Sequence, residues 1–273
     1  MIVDAHQHFW NIETGSYPWL TPDLGVLYRT YGPDDLAPEL AAAGVDRTVL
    51  VQAADSYADT ESMLAIADAH PFVAGVVGWV PLTRPSEVAE ALDGRHPKFV
   101  GVRHLIHDEP DPDWLAQPSV FSSLELLAER GLTFDAVSAL PRHMEHVLSI
   151  AERLPGLKIV IDHLSKPAIK AGAWEPWSSQ LAAAAALPNV YAKVSGLVTE
   201  ADHENWTVED LRPYVEHAVE LFGPDRLMFG SDWPVSLLAA DYQTVWNVMG
   251  ALLGSTDREK VFGTTAAHFY GLT

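Results

Sequence analysis

Two histidines stand one residue apart near the start of the chain, in Ile2-Val3-Asp4-Ala5-His6-Gln7-His8. Side chains i and i+2 of a strand point to the same face, so His6 and His8 would project together from one strand end. Two imidazoles held that way suit one divalent ion or one substrate oxygen. The chain has 12 histidines, so such a pair also arises by chance. Its weight depends on what the rest of the chain brings beside it.

Other polar groups sit at the ends of strand-like runs. Gln52, Asp55 and Tyr57 follow the second run, and Trp79 ends the third. Arg103, His104 and His107 end the fourth, and Asp135 and Ser138 the fifth. Asp162, His163, Ser165 and Lys166 end the sixth, and Lys193 and Ser195 the seventh. Ser231, Asp232 and Trp233 end the eighth, before Pro234. Each has a plain structural reading. Asp4 and Asp135 could be buried acceptors, Asp162 a partner for a neighbour, Ser195 a cap, and Lys193 a surface ion-pair lysine. Polar groups at all eight ends still fit poorly with ends that face only a packed core. Two competing chemistries lack their signatures. No Gly-x-Ser-x-Gly elbow is present, and Gly230-Ser231-Asp232 does not supply its spacing. His143-Met144-Glu145-His146 is too tight for a zinc-protease motif and reads as an exposed helix face.

The elements that must hold these residues are short runs, mostly β-branched and apolar on both alternations. They are Ile2–His6, Thr48–Ala53, Val73–Val80, Phe99–Leu105, Thr133–Val137, Lys158–Ile161, Val190–Val194 and Leu227–Phe229. Strands covered on both faces look this way. Helical patterns lie between most of them: Asp34–Ala43, Ser86–Leu92, Pro118–Arg130, Pro141–Leu154, Ser178–Leu187, Val208–Phe222 and Tyr242–Leu253. Proline at the start and glycine past the end punctuate several. This alternation predicts an α/β fold, a parallel (β/α)₈ TIM barrel, as one domain over 1–273. An open doubly wound sheet is the alternative, weakened by the lack of a Gly-rich phosphate loop after any strand. Residues 9–33, with Trp10, Tyr17, Trp19, Tyr28 and Tyr31, form an unusually long connection after the first strand. Such loops are often lids or binding loops. These aromatics either cap a pocket or pin the loop to the barrel.

Composition narrows the partners. The chain of 273 residues has a formal net charge of −20, from 17 Lys+Arg against 37 Asp+Glu. That surface repels nucleic acid and anionic lipid. Cysteine is absent, which excludes disulfides, thiolate ligands and a Cys nucleophile. No run is long and apolar enough for a membrane span, and the start lacks a signal-peptide layout. The expectation is a soluble cytoplasmic protein acting on a small molecule, its oligomeric state open.

Six motifs follow one another along the chain, beginning with Val3-Asp4-Ala5-His6-Gln7-His8-Phe9-Trp10, Gly44-Val45-Asp46-Arg47-Thr48-Val49-Leu50-Val51-Gln52-Ala53 and Gly101-Val102-Arg103-His104. They continue in Ile161-Asp162-His163-Leu164-Ser165-Lys166-Pro167, Lys193-Val194-Ser195-Gly196-Leu197 and Phe229-Gly230-Ser231-Asp232-Trp233-Pro234. The ordered set resembles the amidohydrolase superfamily, and within it the amidohydrolase-related (family 2) branch. The set looks most like the L-fuconolactonase and L-rhamnonolactonase group, which implies hydrolysis of a sugar-acid lactone. Metal-assisted decarboxylation and dicarboxylate (pyrone-type) lactone hydrolysis are the alternatives on this scaffold. The resemblance implies that His6 and His8 match the first-strand metal pair. It matches Asp232 to the proton-abstracting aspartate, and His163 to the sixth-strand ligand or substrate contact. The fifth strand has no histidine and the fourth no lysine, which argues against two metals. A single Zn-like ion on His6, His8, His163 and Asp232, or no metal, both stay open. Thr265 stands where such proteins often carry Asn and reads as structural.

Lactone hydrolysis needs a deprotonated water, a stabilised oxyanion and a proton for the departing ring oxygen. Asp232 is the expected base, since nearby positive charge favours a carboxylate's ionised form. His6, His8 and His163 would meet the oxyanion, directly or through one ion. Arg103 suits hydroxyls or a carbonyl, with Gln52, His104 and Lys193 as further donors. Trp79, Trp233, Tyr57 and the loop's Trp19 complete the expected substrate contacts.

Overall fold

The computed structural model describes residues 1–254 and 258–272. Eight strands form one sheet in the order β1 to β8, and every described pairing between them is parallel. They are Val3–Gln7, Arg47–Val51, Val73–Gly78, Phe99–His104, Thr133–Ala136, Ile159–Ile161, Val190–Val194 and Leu227–Phe229. The segment after β8 returns to β1, where Asp232 N donates to His6 O at 2.8 Å and His8 N to Trp233 O at 2.7 Å. These bonds nearly close a (β/α)₈ barrel, so the open-sheet alternative does not apply. Because the closing bonds run through Asp232 and His8, closure itself sets these two side chains side by side.

The helices are α1 (Pro33–Ala43), α2 (Tyr57–Ala69), α3 (Pro85–Leu92), α4 (Pro118–Glu129) and α5 (Pro141–Arg153). Then come α6 (Trp177–Ala185), α7 (Leu197–Glu200), α8 (Val208–Phe222), α9 (Tyr242–Leu252) and α10 (Thr265–Tyr270). Helix α2 has no counterpart in the sequence expectation. Its buried positions are Asp59, Thr60, Met63 and Ala67, so it carries no apolar stripe to read. Ser56 starts it by accepting from Asp59 N. Helix α5 corrects another reading. His143 and Met144 are buried while Glu145 faces out, so the His-Met-Glu-His run is not a wholly exposed face.

Both alternations of each strand are used. Val3, Ala5, Val49, Val51, Val77, Val160 and Met228 form one buried cluster, together with Ala266, Phe269 and Tyr270 of α10. Neighbouring positions such as Leu50, Val76, Ile159 and Phe229 join the larger cluster that packs the helices. Thr265 is structural, its hydroxyl donating to Pro224 O at 2.7 Å. No helix among the described residues is long and apolar enough to cross a membrane.

Candidate active site

His6 and His8 meet at the barrel's end with their Nε2 atoms 3.1 Å apart. A register shift in β1 between Asp4 and Gln7 turns the strand there. Asp4 fixes that turn, accepting from Ser231 N at 2.9 Å, His6 N at 3.2 Å and Tyr242 OH at 3.2 Å. Burial pushes its carboxyl up to about 6 against those bonds. Asp232 completes the group, its Oδ1 3.3 Å from His8 Nε2, 3.6 Å from His6 Nε2 and 4.0 Å from His163 Nε2.

The backbone is bent to reach this arrangement. Asp232 adopts φ 56°, and His163, Leu164, Ser165 and Lys166 take φ of 53, 50, 62 and 50° in succession. Left-handed conformations of L-residues cost about 1–2 kcal/mol each and normally occur singly. Here outside contacts hold the run. Trp177 Nε1 donates to Leu164 O at 2.6 Å, Ser138 and Ser165 share a bond at 2.8 Å, and Lys166 reaches Glu200 at 2.7 Å. Strain of this kind collects at functional sites. Gly196 belongs to the same construction. It has φ +62°, and an added Cβ would lie 2.7 Å from His163 Nδ1 and 2.9 Å from Asp232 Oδ2.

Beneath the histidines lies a buried ionic floor. Lys193 is fully buried, with Nζ 2.6 Å from Asp135 Oδ2, 3.1 Å from Asp162 Oδ1 and 3.1 Å from His6 Nδ1. Tyr270 OH donates to Asp135 at 2.6 Å. Arg103 Nη1 reaches Asp162 Oδ2 at 3.2 Å and His6 Nε2 at 3.3 Å, and its Nη2 donates to Gln52 O. Burial opposes ionisation of Asp162, but Lys193, His6 and Arg103 together outweigh it and hold the carboxyl well below the usual range.

The site's charge state follows. Burial lowers His6 and His163 below the ordinary histidine value, so both are neutral near pH 7. Burial also works against the Asp232 anion, yet the surrounding imidazoles, His163 foremost, hold it below the carboxylate range. His8 Nδ1 lies 2.8 Å from Val51 O, an acceptor only, so its proton is there and its Nε2 lone pair faces inward. His6 can present the same tautomer by giving its Nδ1 proton to Asp162 Oδ1, 3.3 Å away, an oxygen that it would share with Lys193 Nζ at 3.1 Å. Three lone-pair atoms then converge at 3.1–3.6 Å. Ligands about 2.0–2.1 Å from a tetrahedral zinc lie roughly 3.3 Å apart, so His6, His8 and Asp232 fit one such ion. Asp162, with Oδ1 beside His6 Nδ1, fits the carboxylate that orients a ligating histidine.

Above this group opens a cavity of about 170 Å³. Its lining includes His8, His163 and Asp232 with Arg103, and also Trp10, Trp19, His107, Asp108 and Lys166. Other expected substrate contacts lie elsewhere. Gln52 is buried and donates to Asp55 at 2.8 Å. Trp79 donates to His104 Nδ1 at 3.0 Å, and Tyr57 stands edge-on to Trp79, 39% exposed. His104 lies flat on Trp114, 3.9 Å between centroids, and bonds Glu109 at 2.8 Å. Trp233 is buried between Phe9 and Tyr31. Lys193 belongs to the floor rather than the surface.

His107 and Lys166 were visible as polar strand-end residues, but nothing in the sequence separated them from their neighbours. Asp108 carried no signal. The connection 9–33 is a fixed wall. Trp19 donates to Ala53 O at 2.7 Å, Trp10 to Arg29 O at 2.8 Å, Tyr31 to Val26 O at 2.6 Å and Tyr17 to Asp59 at 3.1 Å.

The chain is similar to known lactonases and to a crystallised amidohydrolase. An L-fucono-1,5-lactonase of Burkholderia ambifaria is 41% identical over 98% of this chain and 94% of its own. One of Burkholderia multivorans is 36% identical over 99% and 96%. A crystal structure of a B. multivorans amidohydrolase with bound zinc superposes with a TM-score of 0.94 at 34% identity, covering both chains fully. The family description Amidohydrolase (Amidohydro_2) matches residues 3–272, and the chain belongs to that family.

Proposed function

We propose that the chain, acting as one barrel domain, hydrolyses a deoxy-sugar-acid lactone of the L-fucono-1,5-lactone kind. One observation carries the reading: a buried Asp232 within 4.0 Å of three imidazoles, beneath a small cavity that also presents Arg103, Lys166 and two tryptophans. The cavity is below the ~300–1,000 Å³ of drug-sized sites, which suits a single ring.

In this reading water sits against Asp232 Oδ1 and attacks the lactone carbonyl as its proton passes to the carboxylate. The carbonyl π bond opens to a tetrahedral oxyanion, which the neighbouring donors stabilise: Arg103, and His163 through Nε2. His163 takes the tautomer for this by accepting from Ser195 Oγ, 2.9 Å from its Nδ1. The oxyanion then re-forms the carbonyl, the ring C–O bond breaks, and Asp232 returns its proton to the departing alkoxide. The product is an open-chain hydroxy acid. A Zn²⁺-like ion held by His6, His8 and Asp232 would add Lewis-acid polarisation and acidify water. Trp10 and Trp19 offer apolar surface to a sugar ring.

The test is proton release from a panel of aldono-1,4- and 1,5-lactones, spontaneous opening subtracted. A 6-deoxy-sugar lactone is expected to turn over, with Asp232→Asn slower by about 10²–10⁴-fold. If no lactone exceeds its background rate, the reading is wrong.

A further inference from the structure

A second cavity of about 330 Å³ adjoins the first, and Trp19, Leu105 and Asp108 line both. It is about twice the size of the cavity over Asp232. The proposed chemistry leaves it unused, since a single ring is accounted for in the first.

The two cavities differ in charge. The first sets Arg103 and Lys166 against Asp108 and Asp232, beside three histidines. Among the described residues the second has no lysine, arginine or histidine in its lining, and it adds Ser16, Asp55 and Ser56. Asp55 is anchored by Gln52 Nε2 at 2.8 Å and Leu105 N at 3.1 Å. His104 Nδ1, 3.4 Å from Asp55 Oδ2, already accepts from Trp79 and has no proton to give. A carboxylate offers about four acceptor sites, so Asp55 keeps capacity toward the cavity. Asp108, 51% exposed, is a second acceptor. Carboxylates and hydroxyls around an indole suit a neutral ring rich in hydroxyl donors. They disfavour a phosphate or a second carboxylate, which would meet two anions and no cation.

We propose that this second cavity is a subsite for a neutral sugar unit attached to the lactone ring, so that the enzyme opens glycosylated aldonolactones as well as single-ring ones. The proposal rests on the lactonase reading. The lactone sits over Asp232, and the attached unit passes Trp19 into the space between Ser16 and Ser56.

The experiment compares proton release from single-ring 1,5-lactones with that from 3-O- and 4-O-linked disaccharide 1,5-lactones, using the full chain. At least one extended lactone is expected to reach a kcat/KM within about a hundredfold of the best single ring. Ser16→Trp, which fills the second cavity, should lower the extended-to-single ratio by at least about tenfold. Ser16→Tyr serves the same purpose if the Trp variant does not fold. Rapid single-ring turnover with every extended lactone below that limit overturns the subsite and leaves the lactonase reading standing. A ratio that a folded filled variant does not move also overturns it. If single-ring lactones are not hydrolysed either, both readings fall.

Discussion

Two histidine–carboxylate clusters stand on this barrel, one at the end of β4 and one where β1 and β8 meet, and they differ in what they leave open. Both ring nitrogens of His104 are used. Trp79 donates to Nδ1, Nε2 donates to Glu109, and Trp114 covers the ring face. Around His8 the valences converge instead. Its Nε2, that of His6 and Asp232 Oδ1 face one another across 3.1–3.6 Å without a donor common to all three. Both clusters are buried, so burial does not separate them. A closed cluster holds a loop in place, here the segment after β4 that carries His107 and Asp108. An open one waits for a proton, an ion or a substrate atom.

The sharpest break strikes beneath the open cluster. Lys193→Met leaves Asp135 and Asp162 buried without their common cation. Removing one partner of a buried pair costs about 3–5 kcal/mol. Chemical denaturation should show that loss, and a near-unchanged midpoint would mean that the floor tolerates an uncompensated carboxylate. His8→Asn comes next. It removes a converging lone pair while keeping a polar group, so kcat/KM on the best lactone should fall about 10²–10³-fold, some 3–4 kcal/mol of barrier. Its unfolding midpoint should stay close to that of the parent. His104→Ala should do the reverse. Stability should fall by about 1–3 kcal/mol, because Trp79 and Glu109 lose their partner, while kcat changes only a few-fold. Equal kinetic losses in the two variants would erase the distinction between open and closed clusters.

The pH profile sharpens the same contrast. His163 titrates below its ordinary value of about 6.5 in the folded chain, because burial disfavours the imidazolium. The neutral ring therefore persists as pH falls through 6.5, and Asp232 stays ionised throughout that window. The acid limb of kcat/KM should lie below pH 6.5. A limb centred at or above it would mean that His163 is not the buried neutral group described. Linkage has the matching sign. The unfolded chain takes up the His163 proton first, so this residue makes stability decline as pH drops below about 6.5.

Sequence carried the scaffold and the catalytic candidates unevenly, for physical reasons. Strands covered on both faces announce themselves, as Val190-Tyr191-Ala192-Lys193-Val194 does even with a lysine inside it. What that lysine meets is not local: Asp135 and Asp162 come from two other strands, so a surface ion pair and a buried floor read alike. His104 looked like its neighbour Arg103, because its saturation depends on Trp79, Glu109 and Trp114. The left-handed run at His163–Lys166 contains no glycine or asparagine, and local propensity argues against it. It exists because Trp177, Ser138 and Glu200 hold it from outside. Helix α2 was missed because its buried face includes Asp59 and Thr60.

The smallest effect tests the wall rather than the floor. Trp19 reaches the cavity from the long connection after β1, and its indole N–H donates to Ala53 O at 2.7 Å. Trp19→Phe keeps an aromatic ring and deletes that donor, leaving the carbonyl to find water. A hydrogen bond of this kind contributes about 0.5–1.5 kcal/mol. No proton or developing charge of the proposed reaction touches the indole, so what is lost is binding shared by substrate and transition state. KM should therefore rise a few-fold at nearly constant kcat. A fall in kcat at unchanged KM would place Trp19 among the groups that act only at the transition state. The aromatic wall and the histidine floor would then have to be treated as one catalytic unit.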